Sequence, residues 1–214
     1  MQQFDLHGVR RVLCIGAHSD DIEIGCGGSV LELAAAHPQL EVYWVVFSAN
    51  AQRRAEAQAS AESFLQGAGP KTVAVHEFRD GYFPFVGAAI KDEFEKLKPF
   101  APDLVFTHCR HDLHQDHALL CQLTYNTFRD HLILEYEIPK WDGDLRTPNV
   151  YFPLSSAAAQ HKIELLMRHF ATQRSRDWFT ADTFQALMRL RGLEARAAAG
   201  LAEGFYARKL LLQP

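Results

Sequence analysis

Four short apolar runs, each followed by a stretch with helical spacing, constrain the fold of this chain more than any other feature. Residues 12–15, 42–47, 72–78 and 104–107 are rich in β-branched and aromatic residues and too short for buried helices. Helical spacing follows at 30–34, 53–65, 88–97 and 116–128. Gly67 and Gly69-Pro70 stop the second of these helices, and Pro99 and Pro102 the third. Strands separated by helices of this length require right-handed βαβ crossovers, and hence a mostly parallel sheet in an α/β fold. The Gly27-Gly28 pair reads as the turn that leads into the first helix.

Beyond Leu132 the pattern is less regular. Residues 141–148 read as a loop with turn chemistry, 150–152 as a short strand, and 161–170 and 182–190 as helices. No internal repeat, low-complexity segment or linker interrupts the 214 residues. The expectation is a single domain, 1–214, whose C-terminal third, about 132–214, packs on the sheet and shapes a pocket.

Hydrophobic residues make up 48% of the chain, enough for a core of this size. The formal charge is −4 and the Lys and Arg residues are scattered, which argues against a nucleic-acid partner. No apolar stretch reaches the roughly 20 residues that cross a bilayer. Residues 1–11 lack an apolar signal-peptide core, and the tail 210–214 is too short to anchor a membrane. A soluble, cytoplasmic chain is expected, and nothing in the sequence selects between a monomer and a homo-oligomer. None of Cys14, Cys26, Cys109 and Cys121 forms a Cys-x-x-Cys pair. Cys14 and Cys121 read as packed thiols; Cys26 and Cys109 lie near the polar motifs, but His and Asp complete a site without them.

Those motifs follow the first and fourth strands. His18, Asp20 and Asp21 form the first, and His108, His111, Asp112, His114, Asp116 and His117 the second. Ligands of parallel sheets bind beyond the carboxyl ends of the strands, so topology brings both motifs to one edge. Imidazoles and carboxylates converging from two segments are the donor set of a catalytic divalent-metal site. Four histidines within ten residues, interleaved with carboxylates, are hard to explain as packing. The bland reading of the first motif is an Asp-rich loop capping a helix. Residues 25–28 could cradle a phosphate, but they lack the Lys-Ser/Thr of a P-loop, and two carboxylates precede them.

Ala17-His18-Ser19-Asp20-Asp21 resembles the Ala-His-Pro-Asp-Asp-Glu signature of the PIG-L/LmbE-like zinc de-N-acetylases. His114-Gln115-Asp116-His117 resembles that family's second signature, His-x-Asp-His. Weaker likenesses extend to the Arg-x-Glu-rich helix at 54–67, the Asp80-Gly81 turn and the closing segment Gly200-Leu201-Ala202-Glu203-Gly204-Phe205. Ser19 stands in place of the signature's Pro, and Ile22 in place of its Glu, with Glu23 one place on. Residues 48–52 replace a Gly-Glu-rich segment.

The resemblance implies a Rossmann-like, three-layer fold with the active site at the C-terminal ends of the strands. It also implies removal of acetyl groups from N-acetylglucosamine-type sugars on small-molecule or glycoconjugate scaffolds. The implied ligands are His18, Asp21 and His117, holding zinc, with iron(II) an ion the same donors accept. Asp20 is the implied general base and His114 the group that meets the oxyanion, and either of the two is the implied donor of the leaving amine's proton. Asp116 is expected to orient His114 and keep it charged. Arg53, Arg54 and Asp80 are candidate substrate contacts, with plain helix-surface solvation the competing reading for the arginines. His161 and His169 read as helix-surface residues. Two other classes remain at this stage. One is a non-haem Fe(II) oxygenase using His18, Asp20 and His117 as a facial triad. The other is a non-catalytic sugar- or metal-binding module.

Overall fold

A computed structural model describes residues 3–211; Met1, Gln2 and the tail residues 212–214 lie outside the described residues. The chain runs β1 (Arg11–Gly16), α1 (Asp21–Ala36), β2 (Glu41–Val46), α2 (Ala51–Phe64), β3 (Lys71–Val75), α3 (Gly87–Leu97), β4 (Leu104–His108) and α4 (Gln115–Thr127). It continues with β5 (Leu132–Tyr136), β6 (Val150–Pro153), α5 (Ser156–His169), α6 (Ala181–Ala195) and β7 (Ala202–Ala207). The strands form one seven-stranded sheet of order β3-β2-β1-β4-β5-β7-β6. β1 to β5 pair in parallel, and β7 runs antiparallel to both β5 and β6. This is the expected three-layer α/β fold with a mostly parallel sheet.

Alternation along the strands sends side chains to two separate cores. Val12 and Cys14 of β1, with Val42 and Trp44 of β2, join the core made with α1, α2, α5 and α6. Leu13 and Ile15, with Val45 and Phe47, face the core made with α3 and α4. Among the described residues no helix is long and apolar enough to cross a membrane.

Two strands, β5 and β7, did not stand out as apolar runs. Each is buried but carries a glutamate, Glu135 or Glu203, and β7 also carries Gly204. Both glutamates are bonded inside the protein, Glu135 by Arg110 and Glu203 by Lys162. Helix α5 begins five residues before the expected 161, capped by Ser155, whose side chain accepts from the Ala158 N–H at 3.1 Å.

The glycine run also has another role than the turn expected of it. Gly25, Gly27 and Gly28 lie inside α1. A Cβ on Gly25 would sit 2.1 Å from the Tyr136 ring, so only glycine lets the helix rest on that side chain. At Gly28 a Cβ would lie 2.9 Å from Glu203 Oε1. The Gly28 N–H donates to that oxygen at 2.8 Å, and the Ser29 N–H and hydroxyl donate to Oε2 at 2.7 and 2.6 Å. Lys162 Nζ reaches Glu203 Oε1 and the Ile24 carbonyl, each at 2.6 Å. A regular helix would pair the Ile24 carbonyl with the Gly28 N–H; here a buried ion pair meets both groups.

Glu203→Ala leaves Lys162 as a buried charge without its partner. It should lower the unfolding free energy by about 3–5 kcal/mol, read from urea midpoints; an unchanged midpoint would show that the pair does not hold α1.

Candidate metal centre

β1 and β4 are neighbours, and the chain leaves them in opposite directions, β1 toward β2 and β4 toward β5. Their carboxyl ends therefore flank the switch point of the sheet, where a crevice opens. His18 follows β1, and Asp21 is the first residue of α1. The Asp21 carboxylate folds back to accept the His18 backbone N–H at 2.6 Å. His117 projects from the first turn of α4 after β4.

Three donor atoms meet there. His18 Nδ1 and His117 Nε2 are 3.1 Å apart, and Asp21 Oδ2 lies 3.3 Å from the first and 3.5 Å from the second. Ligands about 2.0–2.1 Å from a tetrahedral zinc are separated by about 3.3 Å, so the triangle fits such an ion. His108 also approaches Asp21 Oδ2, at 3.3 Å, but its Nε2 accepts the Ala17 N–H at 2.9 Å. That occupies its lone pair and leaves it as a buried neighbour, stacked on His117 with ring centroids 3.9 Å apart.

Each of the two imidazoles of the triangle meets carboxylates with its other nitrogen. His117 Nδ1 lies 2.8 Å from Asp112 Oδ2, and His18 Nε2 lies 3.0 Å from Asp80 Oδ1 and 3.4 Å from Asp116 Oδ2. Carboxylates in these positions orient a metal-binding imidazole. Burial, with His108 close by, pulls His117 down to about 4 despite Asp21 and Asp112, so the ring is neutral near pH 7. Burial alone would raise the Asp21 carboxyl, but His117, His108 and His18 hold it well below its ordinary range.

Asp20 lies beside this triangle. Arg53 Nη2 donates to its Oδ1 at 2.6 Å, whereas its buried Oδ2 has no hydrogen-bond partner among the described residues. A cavity of about 740 Å³ opens outward from His18, Asp20 and His114. Its far wall comes from the C-terminal third, with Lys140, Trp141 and Trp178.

The expected side chains do not all meet as anticipated. His18, Asp21 and His117 converge, and the His114 ring packs 4.9 Å from His18 and 4.6 Å from His117. The expected Asp116–His114 pair is not made. Asp116 instead accepts the Gly81 N–H at 2.6 Å and the Phe83 N–H at 3.1 Å, and faces His18. Its link to His114 is the reverse one: the Asp116 backbone N–H donates to His114 Nδ1 at 3.3 Å, capping α4. Arg53 is engaged with Asp20, and Arg54 turns to Glu77 at 3.0 Å. Glu23, one place on from the signature's Glu, is fully buried with neither carboxylate oxygen bonded among the described residues. Lys140 and Trp141 gave no sequence signal, because the segment that carries them has no periodicity or motif.

A candidate donor set for a divalent ion thus lies at the switch point of a three-layer α/β sheet. A sequence model of the PIG-L family, described as GlcNAc-PI de-N-acetylase, matches residues 13–128, more than half of the chain and all the residues of both motifs. The chain belongs to that family, a deacetylase-type enzyme family, which favours neither the oxygenase nor the binding module. Among curated proteins, none matches the sequence. Solved structures share the fold at low identity. The conserved protein TT1542 of Thermus thermophilus is 17% identical, with 96% of this chain and 97% of that one covered and a TM-score of 0.76. The N,N'-diacetylchitobiose deacetylase of Pyrococcus horikoshii is 20% identical over 95% and 87% of the two chains, with a TM-score of 0.71. GalB, the 4-carboxy-2-hydroxymuconate hydratase of Pseudomonas putida, is 17% identical over 96% and 98%, with a TM-score of 0.72.

Asp112→Ala frees the His117 ring to turn. Zinc affinity, measured against a chromophoric chelator, should fall about 10–100-fold; an unchanged affinity would mean that Asp112 does not orient the ligand.

Proposed function

We propose that this chain is a metal-dependent hydrolase that removes the acetyl group from an N-acetylated amino sugar of the N-acetylglucosamine type, free or carried on a glycoconjugate. Zinc is the proposed ion, and the same donors accept iron(II). The proposal includes a cytoplasmic location, where the free thiols of the four cysteines suit a reducing compartment. The observation that carries this reading is the donor triangle of His18, Asp21 and His117, with the unpartnered Oδ2 of Asp20 beside it. Family membership points the same way. Likeness of fold does not choose a reaction, because a deacetylase and a hydratase share it.

In this reading His18, Asp21 and His117 would hold the ion beside the cavity. When bound, the ion supplies Lewis acidity, polarising the acetamide carbonyl and lowering the pKa of a water to about 7. Asp20 takes the water's proton on Oδ2 while Arg53 fixes Oδ1. Burial raises the Asp20 carboxyl above its ordinary range even against the charge of Arg53, which suits a group that accepts a proton and then returns it. The water oxygen bonds to the carbonyl carbon, and negative charge gathers on the carbonyl oxygen. His114 serves that oxygen. Its Nδ1 accepts the Asp116 N–H, so a neutral ring carries its hydrogen on Nε2 as a donor. The C–N bond breaks, Asp20 gives its proton to the departing amine, and the acetic acid that remains yields its own proton to the free amine and departs as acetate. Asp80 and Asp116 keep His18 in place, and Asp80, three-quarters exposed at the rim, can also accept a substrate hydroxyl.

An acetate-release screen over N-acetylated sugars with zinc-loaded protein tests the reading. Asp20→Asn should keep its ion yet lose about 10²–10⁴-fold in turnover; acetate release near the wild-type rate would remove Asp20 from the base role. His117→Ala should lose the ion, and unchanged metal content would overturn the ligand set.

A further inference from the structure

Among the described residues, Lys140 is the one cation on the wall of the cavity that faces two buried carboxylates. It lies in the segment between β5 and β6, and its side chain is only 9% exposed. Nζ is 3.1 Å from Asp112 Oδ1 and 2.5 Å from Asp144 Oδ2. Both partners are as deeply buried, at 3% and 5% exposure.

The two carboxylates in turn hold the segment that presents the second motif. Asp112 Oδ1 accepts the His114 N–H at 2.9 Å, and Asp112 Oδ2 faces His117 Nδ1 at 2.8 Å. Asp144 Oδ2 accepts the Leu113 N–H at 2.8 Å. Lys140 therefore ties three consecutive residues, Asp112, Leu113 and His114, to the irregular segment that also carries Trp141. Without a cation between them, Asp112 and Asp144 would be two buried negative charges sharing one space. Turning Asp112 away from Asp144 would relieve that conflict, and would also take its carboxylate away from His117. Burial works against a charge on Lys140, yet Asp112 and Asp144 outweigh it and hold the ammonium above the ordinary lysine range.

We propose that Lys140 is a positioning residue for the metal centre: by bridging Asp112 and Asp144 it keeps the Asp112 carboxylate on His117 Nδ1 and so aims His117 Nε2 at the ion. The inference rests on His117 being a ligand, as in the function proposed above. It does not depend on which bond is hydrolysed or which sugar is the substrate.

The test is a competition titration with zinc and a chromophoric chelator, run on the full chain with the melting midpoint of the zinc-free protein recorded alongside. Lys140→Met should raise the zinc dissociation constant about 10–100-fold. Lys140→Arg, which restores a cation, should recover most of that loss. Adding Asp144→Asn to Lys140→Met removes the surplus negative charge and should also recover affinity, and this double variant carries the test if Lys140→Met does not fold. A structural role alone would move the melting midpoint without this pattern of rescue. A zinc affinity within about twofold of wild type in folded Lys140→Met would overturn the proposal, as would a double variant as weak as the single one. A wild-type chain that binds no divalent ion would instead overturn the metal reading itself. Zinc binding that follows the expected pattern without acetate release would leave Lys140 in its role and remove only the deacetylase.

Discussion

The buried pair of Glu203 and Lys162 is the interaction on which much of this structure depends. It joins the last strand, a helix of the C-terminal third and the middle of α1. An ion pair taken out of water is a poor source of stability unless its remaining hydrogen-bonding capacity is filled. Here it is filled by helix backbone: two N–H groups and one carbonyl of α1 act as partners. The glycines of α1 follow from this, since Gly28 lets Glu203 approach and Gly25 lets Tyr136 lie against the helix. Because α1 begins at Asp21, whatever fixes the roll and height of that helix also fixes a carboxylate of the candidate centre.

The centre itself is a cluster of buried carboxylates and imidazoles. Asp21, Asp112 and Asp116 lie against His18, His108 and His117, and every one of these carboxylates is nearly or wholly buried. Leaving such carboxylates unpaired would be very unfavourable. Backbone N–H groups of His18, Gly81, Phe83 and His114 take part of that burden. The imidazoles take the rest, and the same contacts decide which nitrogen of each ring remains for an ion. Ring orientation and the hydrogen-bonding needs of the carboxylates are thus met by one set of contacts.

Much of this arrangement was legible in the chain. The alternation of short apolar runs with helices dictated a parallel sheet, and the position of the motifs after the first and fourth runs dictated a shared edge. Two strands were harder to see, because Glu135 and Glu203 each interrupt an apolar pattern and find their partners far away in sequence. The glycines of α1 looked like a turn because spacing cannot tell a flexible residue from one chosen for its missing Cβ. Asp116 beside His114 in the motif suggested a pair, yet a helix N-terminus turns neighbouring side chains apart, and the Asp116 carboxylate went to the backbone of the 81–83 turn. Arg53 and Arg54 looked equivalent, and helical geometry sent one to Asp20 and the other to Glu77. Lys140 was invisible, since its role exists only once Asp112 and Asp144 have been brought together.

The position of β7 bears on how the molecule comes into being. β6 reaches the sheet only through β7, which is inserted between it and β5. Domains are made from the N-terminus onward, and local pairings form before distant ones. Every donor of the candidate centre has been synthesised once His117 is added, but the ion pair that holds the middle of α1 cannot form until residue 203 emerges. The donors of the centre are therefore synthesised before the strand that pins α1. A nascent chain that stalls just short of β7 would carry a full set of imidazoles and carboxylates while α1 still lacked the ion pair that meets its backbone.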